Sequence, residues 1–246
     1  MSSSLGDAIK AATDAIEATH GAPGDDPSLA IPADGDDPTV VQLVYSLLLW
    51  EAGHELAGRA FAAIRESLTG LNELRVCDGD EVAAILPREI SKREERAMRL
   101  VAALNAVFIS QHGLTLERVV ALPKREARQY FDALDGVPPF VAARVSLLAT
   151  GGHAVPADDR IAGVLSRHKV LDDPKLSHAD LVSQLERAVR AADAPRVYAL
   201  LELDALHTKP VRKSAPRTKA RAAKKQTSKS TPKATGKGTG KSKAES

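Results

Sequence analysis

Cysteine and aromatic residues are scarce in this 246-residue chain. Cys77 is the single cysteine, which excludes a disulfide scaffold, a cysteine-ligated zinc site and a four-cysteine iron–sulfur cluster. Aromatic residues make up 3% of the chain, against 43% for hydrophobic residues as a whole. A buried core must therefore consist mainly of alanine, leucine and valine.

Long hydrophobic runs are also missing. No window reaches the roughly 18 uninterrupted apolar residues of a membrane-spanning helix, so we expect no membrane contact. Residues 1–10 lack the basic start and apolar run of a secretory signal. Together with the single cysteine, this favours a reducing compartment. We expect a cytoplasmic protein, associated with the nucleoid if the source is bacterial.

Acidic residues are almost absent from the C-terminal end. From Lys209 onward there are 13 basic residues and one acidic residue, Glu245, which gives a net charge of +12. Residues 1–208 carry 21 basic and 31 acidic residues, a net charge of −10. The near-neutral total of +2 therefore conceals an acidic body joined to a basic tail.

The tail, residues 209–246, has no large apolar residue after Val211. It cannot bury enough surface to offset the entropy of ordering, so we predict that it is disordered. Its composition resembles the Lys/Ala/Pro tails of linker histones and bacterial nucleoid proteins. That resemblance implies non-specific contacts with DNA phosphates, for which Lys213, Lys224 and Lys225 are candidates. A solubilising tail without a nucleic-acid partner is the alternative.

Proline and glycine separate the N-terminal part from the rest. Residues 1–20 are predicted to contain a short amphipathic helix, over residues 7–20. Residues 21–38 hold four prolines, three glycines and five aspartates without a basic residue, which predicts an acidic linker. The folded domain is expected over residues 39–208.

The periodicity of this domain predicts helices throughout. Residues 39–50 are apolar almost all round, as in a buried helix. No segment shows sustained alternation with a period of two, so we expect little or no sheet. We assign Arg96, with its arginine neighbours, to the solvated face of the long helix 91–112. The predicted helices are 7–20, 39–50, 55–68, 91–112, 124–134, 138–150, 158–168, 178–192 and 195–207.

Two of these helices are joined by the short segment LDGVPP, residues 134–139. So short a connection allows only a tight hairpin. Gly136 supplies the positive φ of the turn. The two prolines suit the first turn of the second helix, whose amides have no helical acceptor. About twenty residues on, Asp158 and Asp159 open another helix.

This hairpin resembles that of the helix-hairpin-helix DNA glycosylase superfamily, the endonuclease III-like proteins. Leu134, Gly136, Val137 and Ala142 follow the family pattern Leu-Pro-Gly-Val/Ile-Gly-x-x-Thr-Ala. The resemblance implies an all-α, two-subdomain helical helix-hairpin-helix DNA glycosylase fold with a disordered basic C-terminal tail.

Asp158 falls at the position of the family's catalytic aspartate, and Ile161, Val164 and Arg167 continue the pattern. The resemblance implies that this carboxylate stabilises the sugar cation formed as the glycosidic bond breaks, or activates water. An aspartate ahead of a helix is also a common N-cap, worth about 1 kcal/mol. Asp158 or Asp159 could serve as that cap.

In this family the hairpin holds a DNA phosphate through amides at a helix N-terminus, and the target nucleotide is flipped into a pocket. Arg144 and Arg160 are candidate DNA contacts because they neighbour the hairpin and the aspartate, with structural ion pairs as the alternative. The resemblance implies a phosphate-binding hairpin of Gly136, Val137, Phe140, Val141 and Ala142, and a base pocket of Phe140, Glu51 and Trp50.

Several residues depart from the family pattern. Phe140 stands at the position of the lyase lysine, which excludes Schiff-base chemistry there; its ring either stacks on a flipped base or plugs the pocket. Pro138 replaces a hairpin glycine and lacks an N–H. Asp135 puts a negative charge at the phosphate site, and Glu51 stands near the family's base-stacking glutamine. The cluster cysteines are absent, and we expect no cofactor or metal.

The leading hypothesis is a monofunctional DNA glycosylase-like base-excision repair protein. It would hydrolyse the N-glycosidic bond of a flipped damaged base in double-stranded DNA, without lyase activity. The first alternative is a catalytically inactive helix-hairpin-helix DNA-binding or nucleoid-associated protein. The second is a protein-interaction module whose acidic body binds a basic partner.

Overall fold

The computed structural model describes residues 4–25, 35–171 and 176–208, and these contain helices and no β-strand. The all-α prediction is confirmed. No helix within these ranges is long and apolar enough to cross a membrane. The α-helices are α1 (Leu5–His20), α2 (Pro38–Leu49), α3 (His54–Ser67), α4 (Leu71–Val76), α5 (Gly79–Ile85), α6 (Arg93–Gln111), α7 (Glu117–Val120), α8 (Lys124–Ala133), α9 (Pro139–Thr150), α10 (Asp159–Arg167), α11 (His178–Ala188) and α12 (Ala194–His207).

Helix α2 lies at the centre of this arrangement, as its apolar sequence predicts. Every residue from Val40 to Leu49 is buried. The helix packs against α3 and α6 and also against α9. It therefore links two groups of helices. One group consists of α3, α4, α5 and α6, and the other contains α1 and α8 to α12.

Helix α1 is part of the same compact unit as the rest of the described helices. Ile9, Ala12 and Ile16 are buried, and α1 packs against α11 and α12. The linker that follows is rich in proline and aspartate, and it led to the prediction that residues 1–20 lie apart from the domain. The amphipathic face of α1 has instead joined the core, since exposing it to water would be unfavourable.

Three short helices, α4, α5 and α7, were not predicted. They span four to seven residues, too few for apolar periodicity to show. A capping box between Asp78 and Glu81 starts α5, and Val82 anchors it in the core. Helix α11 ends at Ala188, before the predicted end at residue 192, because Val189 turns into extended backbone.

The tight hairpin between α8 and α9 is confirmed. Gly136 has a φ of 76°, and a Cβ atom added there would lie 2.7 Å from the carbonyl oxygen of Arg99. The turn is closed by a hydrogen bond from the amide of Val137 to the carbonyl of Leu134. Glycine is thus required both by the backbone conformation and by the close approach of α6.

We predict that Gly136→Ala lowers the free energy of unfolding by about 2–4 kcal/mol, from the strained φ and the clash with α6. Urea unfolding measures this change. Gly58→Ala is the matched control, because Gly58 lies in α3 with open space around it. Alanine at that position should raise the free energy of unfolding by at most about 1 kcal/mol. A Gly136→Ala protein as stable as wild type would contradict the close packing of the hairpin.

Candidate functional site

Asp158 follows a buried segment without regular secondary structure, residues 154–157, which comes after α9. Its backbone is extended, with a φ of −127°, and it is the N-cap of α10. One carboxylate oxygen, Oδ1, accepts hydrogen bonds from the amides of Arg160 and Ile161, at 3.1 and 3.2 Å. Of the two aspartates that could cap this helix, Asp158 is therefore the N-cap, and Asp159 is the first residue of the helix.

The second carboxylate oxygen of Asp158 also accepts two hydrogen bonds. Oδ2 accepts from the amide of Glu51 at 2.8 Å and from Nε of Arg160 at 2.9 Å. A carboxylate has about four lone-pair sites, and here four donors fill them. Asp158 is 0% exposed, so neither oxygen faces solvent.

Arg160 closes the site above Asp158. Its two terminal nitrogens donate to the two carboxylate oxygens of Glu202, at 2.9 and 3.1 Å. Burial alone would lower the pKa of Arg160, but the charges of Asp158 and Glu202 raise it above its usual range. The Arg160 guanidinium lies 5.6 Å from the centre of the Phe140 ring.

Glu202, on α12, anchors the other end of this network. Burial would raise its pKa, but Arg160 and His54 hold that pKa well below the usual range. His54 Nε2 lies 3.2 Å from Oε2, and the Tyr198 hydroxyl donates to Oε1 at 2.6 Å. Burial and the Glu202 charge raise the pKa of Tyr198, so its hydroxyl keeps the proton that it donates.

Arg144 lies in the core and not at the DNA-facing surface that the sequence analysis proposed for it. It is 3% exposed, and its guanidinium donates to the Tyr198 hydroxyl at 2.9 Å and to Ser46 Oγ at 2.8 Å. Helix α9 is buried over most of its length, so its arginine is held between α2 and α12. Both guanidinium groups are therefore held within the protein. Two hydroxyl groups hold Arg144, and the ion-pair alternative describes Arg160, which pairs with Asp158 and Glu202.

The hairpin residues Phe140, Val141 and Ala142 are core side chains, and Phe140 is 1% exposed. In this structure the Phe140 ring fills space and does not line an open pocket. The amides of Phe140 and Val141 belong to the first turn of α9 and have no helical acceptor. Phe140 and Val141 are 1% and 0% exposed, so these two amides do not face solvent, and Pro138 has no amide hydrogen to offer.

The other base-pocket candidates, Trp50 and Glu51, follow the end of α2. Glu51 has a φ of 55°, and its amide reaches Asp158. Its carboxylate turns away and pairs with Lys92 Nζ at 2.8 Å. Trp50 is 6% exposed, and the Lys92 amine lies 4.4 Å from the centre of its ring. The structure joins the Glu51 backbone to Asp158 but does not gather these side chains around one cleft.

Arg96 holds this turn in place, and assigning it to a solvated face was wrong. It is 0% exposed, and its guanidinium donates to the carbonyls at the end of α2, including that of Trp50 at 2.7 Å. Burial lowers its pKa to about 10. Arg96 precedes Leu100 and Ala103 by four and seven residues, so it lies on the buried stripe of α6. That spacing is the signal by which the sequence could have revealed it.

Three potential metal ligands, Glu51, Asp159 and His178, come within 4.8 Å of one another in the described part of the chain. Each already has a partner: Glu51 pairs with Lys92, and His178 Nε2 lies 3.0 Å from Asp159 Oδ1. Asp159 and His178 are also partly exposed. These contacts describe ion pairs at the rim of the site. Lys213, Lys224 and Lys225 lie outside the described residues.

Solved structures with the same arrangement of helices are DNA glycosylases. A non-covalent endonuclease III–DNA complex matches with a TM-score of 0.60 and 15% identity, over 80% of this chain and 83% of that one. A thermostable thymine-DNA glycosylase matches with a TM-score of 0.55 and 21% identity, over 86% and 89%. The 3-methyladenine DNA glycosylase MagIII of H. pylori, bound to 1,N6-ethenoadenine, gives 0.57 and 11%, over 81% and 95%.

The chain therefore has the helix-hairpin-helix DNA glycosylase fold, which confirms the fold predicted from the hairpin. No protein-family model matches the sequence, and no curated protein sequence matches it either.

We predict that Glu202 makes stability depend on pH in the acid range. Because its folded-state pKa lies below the unfolded value, its contribution is complete above about pH 5 and is lost as the pH falls through the folded-state pKa. Glu202→Gln should lower the free energy of unfolding by about 3 kcal/mol near neutral pH and flatten its decline in acid. Denaturant unfolding at a series of pH values measures both effects.

The matched control is Glu95→Gln, which removes an exposed ion pair with Arg99. It should change stability by no more than about 1 kcal/mol and leave the decline in acid as in wild type. If the free energy of unfolding of Glu202→Gln fell with pH in parallel with that of wild type, Glu202 would not be the buried anion described above.

Proposed function

We propose that this protein binds double-stranded DNA through a DNA glycosylase fold in which Asp158 is a structural anchor and does not hydrolyse the glycosidic bond. The proposal rests on one observation: the Asp158 carboxylate is fully buried and accepts hydrogen bonds from four donors. A catalytic carboxylate must come within reach of the sugar or of a water molecule.

Opening this site is energetically expensive. For Asp158 to meet a nucleotide, Arg160 must leave both Asp158 and Glu202. Removing one partner from a buried ion pair costs about 3–5 kcal/mol. Added to an activation barrier, that cost slows a reaction by about 10²- to 10⁴-fold. The geometry thus favours the catalytically inactive DNA-binding alternative over the glycosylase that led the sequence analysis.

DNA binding itself is supported by two features. The endonuclease III structure of the same fold is a DNA complex. The tail, residues 209–246, adds a charge of +12, and its lysines, including Lys213, Lys224 and Lys225, offer non-specific phosphate contacts. We propose a nucleoid-associated protein if the source is bacterial.

A monofunctional DNA glycosylase is the second candidate. Asp158 stands where the family places its catalytic aspartate, and Phe140 at the lysine position removes only the lyase step. Arg160 contacts both the Phe140 ring and Asp158. A flipped nucleotide that displaced Arg160 would therefore meet both of these residues.

A base-release assay separates the two candidates. Labelled duplexes with uracil, alkylated purines, 8-oxoguanine or hypoxanthine are incubated with the protein and then treated with hot alkali. We expect the wild-type protein to bind the duplexes and to produce no alkali-labile sites.

Asp158→Asn runs alongside as the control. Breaks that appear after alkali with wild type and disappear with Asp158→Asn would establish the glycosylase and overturn the non-catalytic assignment.

A further inference from the structure

We propose that one side of α6, together with the turn between α4 and α5, docks a basic amphipathic helix of a partner protein. This surface, the docking face, presents exposed apolar side chains beside carboxylates. Its apolar members are Val76, Met98, Phe108 and Ile109, and its acidic members are Glu73, Asp78, Asp80 and Glu81. The inference adds a protein partner to the proposed DNA binding and does not depend on it.

Exposed large apolar side chains are concentrated on this face. Of the six in the described ranges, Leu122 and Leu148 lie outside α4 and α6, and the other four belong to the docking face. Val76, Met98 and Ile109 are 66%, 60% and 72% exposed. Single exposed apolar residues are common, whereas a contiguous patch of them marks an interaction site.

The apolar members form one such patch. Met98 and Ile109 are eleven residues apart on α6, which is about three turns, so both project from the same side of the helix. The end of α4 lies alongside, because the Arg75 guanidinium is 3.9 Å from the centre of the Phe108 ring. A Cβ atom added at Gly79 would lie 3.2 Å from Met98 Cγ. The patch therefore runs for about 16 Å along α6, with the turn after α4 at its edge.

Negative charge is concentrated beside this apolar patch. Residues 71–86 hold four acidic residues and one basic residue, Arg75, which gives a net charge of −3. The Arg75 guanidinium donates to the side chains of Asn72 and Asn105 and not to a carboxylate. In the described part of the chain, no basic side chain forms an ion pair with any of the four acidic members, Glu73, Asp78, Asp80 and Glu81.

These carboxylates gather around the turn between α4 and α5. Burial and the charges of Glu81 and Glu73 raise the pKa of the Cys77 thiol, so both charges act on the same turn. Asp78 and Glu81 form the capping box of α5, in which their carboxylates accept from amides and thus keep their charge. The negative charge remains available to a partner.

Charge complementarity selects a basic protein partner. DNA phosphates would be repelled by the four carboxylates, and a second copy of the acidic body would bring like charges together. A helix with apolar residues on one side and lysines or arginines along its edge satisfies both halves of the docking face. About eleven residues of helix span the 16 Å or so of the apolar patch.

Met98 allows binding at this face to be observed directly, because the chain has only two methionines, Met1 and Met98. The full-length protein is labelled with ¹³C at its methionine methyl groups, and Met98→Leu assigns the two signals. The probe is a peptide of about 14 leucine and lysine residues whose leucines share one helical side. We expect saturable changes of the Met98 signal with this peptide and none with a peptide that has glutamate in place of lysine.

The test variant carries Asp80→Asn and Glu81→Gln, which keep the side-chain shapes and leave glutamine to complete the capping box. Loss of two charges should raise the Kd of the lysine peptide about tenfold. The matched control carries Asp180→Asn and Asp193→Asn, which remove two exposed acids at α11 and before α12, and should keep the wild-type Kd. Ile109→Ser tests the apolar half and should also raise the Kd.

Four results would overturn the docking face. The first two are absence of peptide binding and peptide binding without a change at Met98. The third is a wild-type Kd in the test variant. The fourth is a Met98 signal that changes on dilution of the protein alone or on addition of a DNA duplex, which would identify a second copy or DNA as the occupant. The proposed DNA-binding function is tested separately, by binding of the duplexes in the base-release assay.

Discussion

The buried contact of Arg160 with Asp158 and Glu202 is the interaction on which the centre of this protein depends. Moving an ion from water into the interior costs several kcal/mol, so each of these charges needs the others. Through Asp158 the contact fixes the start of α10 and the backbone of Glu51 after α2, and through Glu202 it reaches α12. The carboxylate that the sequence analysis proposed as catalytic is thereby enclosed in the protein's own ion network.

The hairpin and the long helices could be predicted because their signals are local. Gly136 and the prolines that follow it fix a turn within six residues, and the acidic pair Asp158 and Asp159 predicted the start of a helix. The apolar run of α2 predicted a buried helix, and the structure has it at the centre. Short helices such as α4 escaped prediction because fewer than two turns cannot display a period.

The hydrogen bonds and ion pairs of the site could not be predicted in the same way, because they join residues that are distant in the chain. Arg160 meets Glu202, 42 residues away, and Arg144 meets Ser46, 98 residues away. A charged residue reveals its burial in the sequence only where it shares the spacing of an apolar stripe, as Arg96 does in α6. Glu202 gave only a weak signal, as a lone acid between Leu201 and Leu203.

The stability of Asp158→Asn tests the central claim most directly. Asparagine keeps the shape and the capping oxygen but removes the charge that holds Arg160. If Asp158 is a structural anchor, the substitution should lower the free energy of unfolding by about 2–4 kcal/mol near neutral pH. An unchanged or increased stability would contradict the account, because replacing a residue kept for catalysis commonly leaves a protein as stable or more stable.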